Sequence, residues 1–356
     1  MFENIIMSLA FNTISYAYDG HPALSSISLT CERGEIVCLL GPSGCGKTTL
    51  LNLAAGILNL QAGEINLDGQ LMASKTLNPP PEKRPIGLVF QDGALFPHMN
   101  VRDNIQFGMS KSENKDALTA QLLKQVGLPG YEARFPHTLS GGQQQRVAVA
   151  RALAAKPAVL LMDEPFASID IVLRRRLRAD MRRALKANDG VSIIVTHDPE
   201  EAMEIADKIA VMDQGRIIQF GTPFDLYQNP QSLSVAKLTG SGTSLPAKID
   251  KDMITSAFGT WPLESLSAPL QDNAEQTPRL IELYARAFSF NLRPAKDPHN
   301  ALTIIDIRST GPSQMVLLQN ANEEILSLSV QNGLELEISQ AVELMAAPKS
   351  LIAFNV

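Results

Sequence analysis

The sequence predicts an α/β domain on a mostly parallel sheet, followed by a small all-β domain, and three observations predict it. A short apolar strand, EIVCLL at 35–40, runs into the glycine-rich string GPSGCGKTT at 41–49 and then into a helical pattern, KTTLLNLAAGIL. Two further apolar strands, VLLM at 159–162 and SIIVT at 192–196, are each followed by a helical pattern, the order that lays parallel strands side by side. Beyond residue 247 the hydrophobic period changes to two.

The bulk numbers agree with that division. A chain of 356 residues suggests about two domains. Apolar residues make up 45% and charged residues 19%, a composition of ordinary globular proteins. The net charge of -6 argues against a dedicated nucleic-acid binder. No apolar run approaches the ~18 residues of a membrane-spanning helix, and the start, MFENIIMSLAF, lacks the leading positive segment and cleavage site of an export signal. The expectation is a chain that stays in the cytoplasm. Cys31, Cys38 and Cys45 have no Cys or His partners at metal-ligand spacing, so a reduced, metal-free set of thiols is expected.

Taken in order, residues 8–33 carry the alternation of an opening sheet region, in SLAFNTISYAY and ALSSISLTC. Helical, polar composition fills about 95–150, ending in GGQQQRVAVARALAA. In THDPEEAMEIA, Asp198 is an N-cap, Pro199 takes the first helical position and Glu201 completes a capping box. MDQGRIIQFG reads as a hairpin around 213–215, and Thr222 with Pro223 opens a short helix. The boundaries expected are the α/β domain over 1–238, a linker rich in Gly, Ser and Thr over 239–246, and a β domain over 247–356. In that last domain Leu326, Leu328 and Val330 alternate with serines, Leu334, Leu336 and Ile338 alternate with glutamates, and Gly311 with Pro312 separates two strands. In LRRRLRADMRRALK at 173–186, Leu173, Leu177, Met181 and Leu185 recur every four residues, which puts the arginines on the solvated faces of an amphipathic helix.

The string at 41–49 fits G-x-x-x-x-G-K-[ST], a loop for a triphosphate. Such a ligand is densely anionic and needs fixed N–H donors, a point positive charge and a metal ligand. Gly41, Gly44 and Gly46 let the backbone come close and present amides at a helix N-terminus, with Pro42, Ser43 and Cys45 completing the nucleotide-binding loop. Lys47 reaches the β- and γ-phosphates, and Thr48, with Thr49 next to it, sits where a hydroxyl meets Mg²⁺. Asp163, at the carboxyl end of its strand, is a second Mg²⁺ ligand, and Glu164 beside it is a general base for attacking water. Ser140, Gly141, Gly142 and Gln143 form another anion cradle at a helix start. Cys45 lies among amides and next to Lys47, conditions that favour thiolate, so a bulky thiol reagent is expected to block ATP binding and Mg·ATP to protect.

With GPSGCGKTT, LSGGQ at 139–143 and VLLMDEP at 159–165 in that order, the first 235 residues or so resemble an ATP-binding-cassette transporter ATPase. The resemblance implies a P-loop nucleotide-binding domain of that type with a helical insertion, followed by an OB-like extension of the TOBE type. It assigns Gln91 to a loop that senses γ-phosphate and Mg²⁺, and His197 to a switch that contacts γ-phosphate and the attacking water. It places Tyr18 against adenine, with Tyr16 as the neighbouring alternative. It makes 140–143, and Asp170 in the string SID, act in trans on nucleotide bound by the partner, hence a head-to-tail homodimer with two sites. It implies integral membrane permease subunits docking near LFPHM at 95–99, a substrate-binding protein acting indirectly, no nucleic acid, and a place on the cytoplasmic face of the cell membrane.

Around RRRLRADMRRALK and PHTLSGGQQQR the sequence is most similar to ferric iron importer ATPases. Polyamine, phosphonate, sulfate or sugar uptake is the alternative cargo. The extension departs from the usual pattern: Arg286, Ala287 and Phe288 stand where relatives read Arg-Pro-Glu. A soluble cassette ATPase of translation or DNA repair is the alternative class, but such relatives usually carry tandem cassettes or a long coiled-coil insertion, and this sequence has neither.

Overall fold

Leu9, Phe11 and Ile14 on one strand and Leu24, Ile27 and Leu29 on the next are all buried, and that shared apolar face pairs β1 (Ser8–Tyr18) with β2 (His21–Glu32). The strands turn at Asp19 and Gly20, both with positive φ, the Asp-Gly chemistry of a type I′ hairpin. The computed structural model describes residues 8–109, 114–167, 171–267, 279–296 and 301–355, folded as two units, Met1–Phe224 and Asp225–Val356.

In the first unit β3 (Ile36–Leu40) is buried along its whole length, as its unbroken apolar run predicts. It leads through the glycine loop to α1 (Lys47–Ala55). β4 (Ala62–Leu67) and β5 (Gln70–Ser74) complete an outer antiparallel sheet of order β2-β1-β4-β5. After β6 (Ile86–Val89) come the three helices of the insertion, α2 (Val101–Gln106), α3 (Lys115–Gln125) and α4 (Gly141–Ala154). The chain returns through β7 (Val159–Asp163), α5 (Ile171–Lys186), β8 (Val191–Thr196), α6 (Pro199–Ile205), β9 (Lys208–Asp213) and β10 (Arg216–Gly221). The central sheet has the order β10-β9-β3-β8-β7-β6, with β10 antiparallel and the others parallel. The carboxyl ends of β3, β7 and β8 are therefore neighbours, where open α/β sheets bind ligands.

The second unit begins with α7 (Pro223–Gln228), where the division falls, and α8 (Leu233–Thr239). Strands follow: β11 (Gly242–Asp250), β12 (Met253–Ser256), β13 (Gly259–Pro262), β14 (Arg279–Arg286), β15 (Phe290–Pro294), β16 (Leu302–Ser309), β17 (Ser313–Gln319), β18 (Ile325–Gln331), β19 (Ala341–Ala346) and β20 (Leu351–Asn355). They form two five-stranded antiparallel sheets, β13-β12-β11-β14-β20 and β15-β19-β16-β17-β18. One core, with Trp261, Leu283, Phe290, Val316, Leu328 and Leu344, fills the space between them. The indole Nε1 donates to Leu344 O at 3.0 Å.

Two expectations fail here. Gly242 to Pro246, assigned to the linker, is the first half of β11, because Gly242 serves close packing: a Cβ there would lie 2.4 Å from Ala285 O and 2.7 Å from the Tyr284 ring. Leu334, Leu336 and Ile338 are not in a strand. β18 is the sheet's edge while β19 lies between β15 and β16, so this stretch carries the chain from the edge back to the sheet's interior, and among the described residues it pairs with no strand. Leu334 and Ile338 are exposed accordingly.

Candidate functional site

β3 ends at Leu40 and hands the chain to the loop at the N-terminus of α1. Gly46 is the N-cap residue at φ 103°, and a Cβ would meet Ala23 O and Leu24 Cδ2, each at 2.6 Å, so no other residue type fits. It brings no side-chain acceptor to the first turn, which leaves those amides to an anion. Pro42, Ser43, Gly44 and Thr48 form the exposed rim. Lys47 is buried and folds back over the loop, its Nζ donating to Gly41 O at 2.7 Å and Pro42 O at 2.9 Å. Phosphate oxygens are stronger acceptors for an ammonium than these carbonyls.

Cys45 is enclosed within the loop. Its side chain is buried and its Sγ lies 3.6 Å from Lys47 Nζ, inside the loop. With the thiol buried, reagent access requires the loop to open.

Thr48 Oγ1 donates to Asp163 Oδ1 at 3.4 Å, joining the start of α1 to the end of β7. Burial raises the Asp163 carboxyl pKa, with Glu164 adding to this while Thr48 and Lys47 oppose it. Two hard oxygen donors on two elements suit Mg²⁺, which takes one or two protein oxygens and completes its shell with water and phosphate. Among the described residues no cluster of three or more His, Cys, Asp or Glu is placed to hold a metal. Thr49 is buried, its hydroxyl 3.3 Å from that of Tyr18. Tyr18 is 45% exposed, while Tyr16 packs against the core and meets the Tyr18 ring at 4.9 Å with the planes 74° apart. Of the two, Tyr18 is the more exposed.

Glu164 follows β7 at φ 44°, a left-handed conformation that costs a non-glycine residue free energy. Its amide donates to Val195 O at 2.9 Å, which ties it to β8. His197 lies just beyond β8, its Nδ1 2.9 Å from Glu164 Oε1. An Nδ1–H donated to this carboxylate leaves Nε2 free to accept or donate elsewhere.

Gln91 is exposed on the loop after β6. α4 braces that loop: Arg151 donates to Ala94 O at 2.9 Å and Gly93 O at 3.2 Å, and Gln145 to Phe90 O at 3.5 Å. Farther on, Asn104 binds the backbone of Phe96 and Met99, leaving Pro97 and His98 exposed. At the other end of α4, Ser140 and Gln143 close a capping box with distances of 3.4 and 3.0 Å. Among the described residues no hydrogen bond joins 140–143 to the glycine loop. Ser168, Ile169 and Asp170 lie outside the described residues.

Sequence reasoning missed a buried charge network behind His197. Arg178 does not face solvent: it is buried, bonding Asp198 Oδ2 at 2.9 Å and Glu204 Oε2 at 3.2 Å. Leu177, Met181 and Leu185 are buried as expected; the side chain of Leu173 is not described. Asp198 caps α6 through the amides of Glu200 and Glu201, but the expected capping box does not close. Glu201 turns inward to accept from Thr196 Oγ1 at 2.9 Å, and that hydroxyl replaces it in accepting from Asp198 N. The available signal was the stripe 174, 178 and 182 facing the acids at 198, 204 and 207. Arg84, also buried, donates to Leu53 O and Ala54 O at the end of α1.

Comparison with known proteins bears on this geometry. The family model described as ABC transporter matches residues 24–167. A Fe(3+) ions import ATP-binding protein of Pseudomonas fluorescens is 43% identical over 262 residues, covering 73% of this chain and 74% of that protein. A sulfate/thiosulfate import ATP-binding protein of Neisseria meningitidis is 35% identical over 98% of both chains. A solved dimer of an ATP-binding cassette in a post-hydrolysis state, bound to ADP and Pi, superposes with a TM-score of 0.52 at 27% identity, covering 60% of this chain and 98% of that one.

Proposed function

The chain belongs to the ATP-binding-cassette transporter family and is an ATPase, and on that premise we propose that it is the energy-coupling subunit of an importer, most directly one for ferric ions. It works as a head-to-tail homodimer docked on integral membrane permease subunits at the cytoplasmic face of the membrane, with a substrate-binding protein delivering cargo. The pairing of Glu164 with His197 at the carboxyl ends of β7 and β8 carries the hydrolytic reading. Among the described residues no helix is long and apolar enough to cross a membrane, which fits a subunit that reaches cargo only through partners.

In this mechanism the amides at the start of α1 and Lys47 receive the phosphates, and Tyr18 stacks on the adenine. Thr48, Asp163 and Gln91 would hold Mg²⁺, which supplies charge neutralisation at the leaving phosphates. Glu164 takes the proton from the attacking water, and its hydrogen bond to His197 fixes the carboxylate. His197 turns its remaining ring nitrogen to the γ-phosphate. Ser140 to Gln143 and Asp170 act on the nucleotide held by the partner copy, because a helix start that is not joined to its own loop is available to another chain's ligand. ATP binding closes the dimer and hydrolysis resets it.

The ferric reading rests on the resemblance around RRRLRADMRRALK and PHTLSGGQQQR and on an iron-importer relative matched over 73% of the chain; identity does not separate the cargoes, since spermidine/putrescine and sulfate/thiosulfate import relatives are 46% and 45% identical over 67% of it. ATPase of the complex, copurified from membranes and reconstituted with its binding protein, distinguishes them. Stimulation by the ferric-loaded binding protein supports the proposal; stimulation by the sulfate-loaded one alone assigns the other cargo. Copurification with ribosomes or DNA in place of membrane subunits overturns the importer reading.

A further inference from the structure

Among the described residues the imidazole of His197 has one hydrogen-bond partner, Glu164. Its side chain is 56% exposed, and it borders a cavity of about 260 Å³ shared with Glu164, Phe166, Thr196, Asp198 and Glu201. Whatever fixes the backbone from Thr196 to Asp198 therefore fixes the ring.

Two buried polar side chains do this from two helices. From α6, Glu201, 4% exposed, grips the Thr196 hydroxyl, which in turn accepts from Asp198 N at 3.0 Å. From α5, Arg178, also 4% exposed, holds Asp198 Oδ2 while anchored on Glu204. Asp198 Oδ1 is meanwhile occupied in capping α6. Both residues immediately beside His197 are thus tied to a buried polar side chain, Thr196 to Glu201 and Asp198 to Arg178.

This arrangement is a poor choice for stability alone. Arg178 Nε and Glu201 Oε1 are buried without a hydrogen-bond partner, and apolar replacement of buried ion pairs is often neutral or stabilising. We propose that Arg178 and Glu201 are positioning residues for His197, holding the Thr196–Asp198 segment so that the imidazole meets Glu164. The inference rests on the hydrolytic role of His197 proposed above.

The test is a double-mutant cycle on the ATPase of the full-length chain. Asp198→Asn keeps volume and an N-cap acceptor but removes the carboxylate that Arg178 holds; Glu201→Ala removes the grip on Thr196. Each is expected to lower kcat about tenfold with KM for ATP within about twofold. In a His197→Ala background the same changes are expected to alter residual kcat less than about twofold. Arg178→Lys should retain more activity than Arg178→Met, and melting curves identify any variant that fails to fold, in which case Asp198→Asn carries the test. Equal losses in both backgrounds, or none in the wild type, overturn the inference and leave the reading of His197 standing. If His197→Ala itself hydrolyses ATP at the wild-type rate, that reading fails and the inference with it.

Discussion

Glu164 Oε1 and His197 Nδ1 lie 2.9 Å apart, and they meet because Glu164 leaves β7 in a left-handed turn with its amide on Val195 of the adjacent strand. The contact unites residues that are 33 apart in sequence. It exists because β7 and β8 are parallel neighbours whose carboxyl ends coincide.

Glu164→Gln keeps the shape of this contact and removes the base. The expected result is an ATPase slower by about 10²–10⁴-fold, with ATP still bound and a dimer accumulating on size-exclusion chromatography in Mg·ATP. Wild-type turnover, or loss of nucleotide binding in place of turnover, would contradict the assignment.

Burial of Cys45 under the glycine loop sets its reactivity. Maleimide should label it far more slowly in the native chain than in denaturant, and slower still with Mg·ATP, which keeps the loop closed; mass spectrometry of peptides containing Cys45 reads the rates. Fast native labelling would mean that the loop opens readily without ligand.

Burial pushes the Glu201 carboxyl up to about 7, against the opposing hydrogen bond from Thr196 and the charge of Arg178. A carboxyl whose pKa is raised on folding binds its proton more tightly when folded, so its contribution to stability falls as pH rises from about 4.5 to about 7. Glu201→Gln abolishes that slope. Urea midpoints measured across the window should decline less with pH for the variant than for the wild type; parallel curves would show that Glu201 titrates normally.

Arg84 bridges elements through Leu53 O, Ala54 O, Pro79 O and Asn78 Oδ1. Replacing it with Met withdraws these donors from buried carbonyls at the end of α1, a loss of about 2–4 kcal/mol. Urea denaturation monitored by circular dichroism checks this, and an unchanged midpoint would show that water satisfies those groups.

Local patterns were legible in the sequence and distant pairings were not. The strand, glycine loop and helix at 35–58 need only neighbours in sequence, and β3 and α1 stand where the spacing predicts. Arg178 reads as a solvated helix-face charge because its partners lie 20 to 26 residues away, and only the fold brings them together. The alternation at 334–338 has strand chemistry, but its residues join edge strand β18 to interior strand β19 and, among the described residues, pair with no strand. Gly242 looks flexible in a string of small residues, yet it is required by the tyrosine packed over it.

The central claim is that a lone protomer cannot hydrolyse ATP, because Ser140 to Gln143 serve the nucleotide of the other copy. Mixing a Lys47→Ala chain with a Ser140→Arg chain tests it most directly. Each alone should be inactive, and the mixture should recover about a quarter of the wild-type rate, since half the dimers are mixed and each of those has one intact site of two. Full activity of the Ser140→Arg chain alone, or no recovery on mixing, would contradict the account.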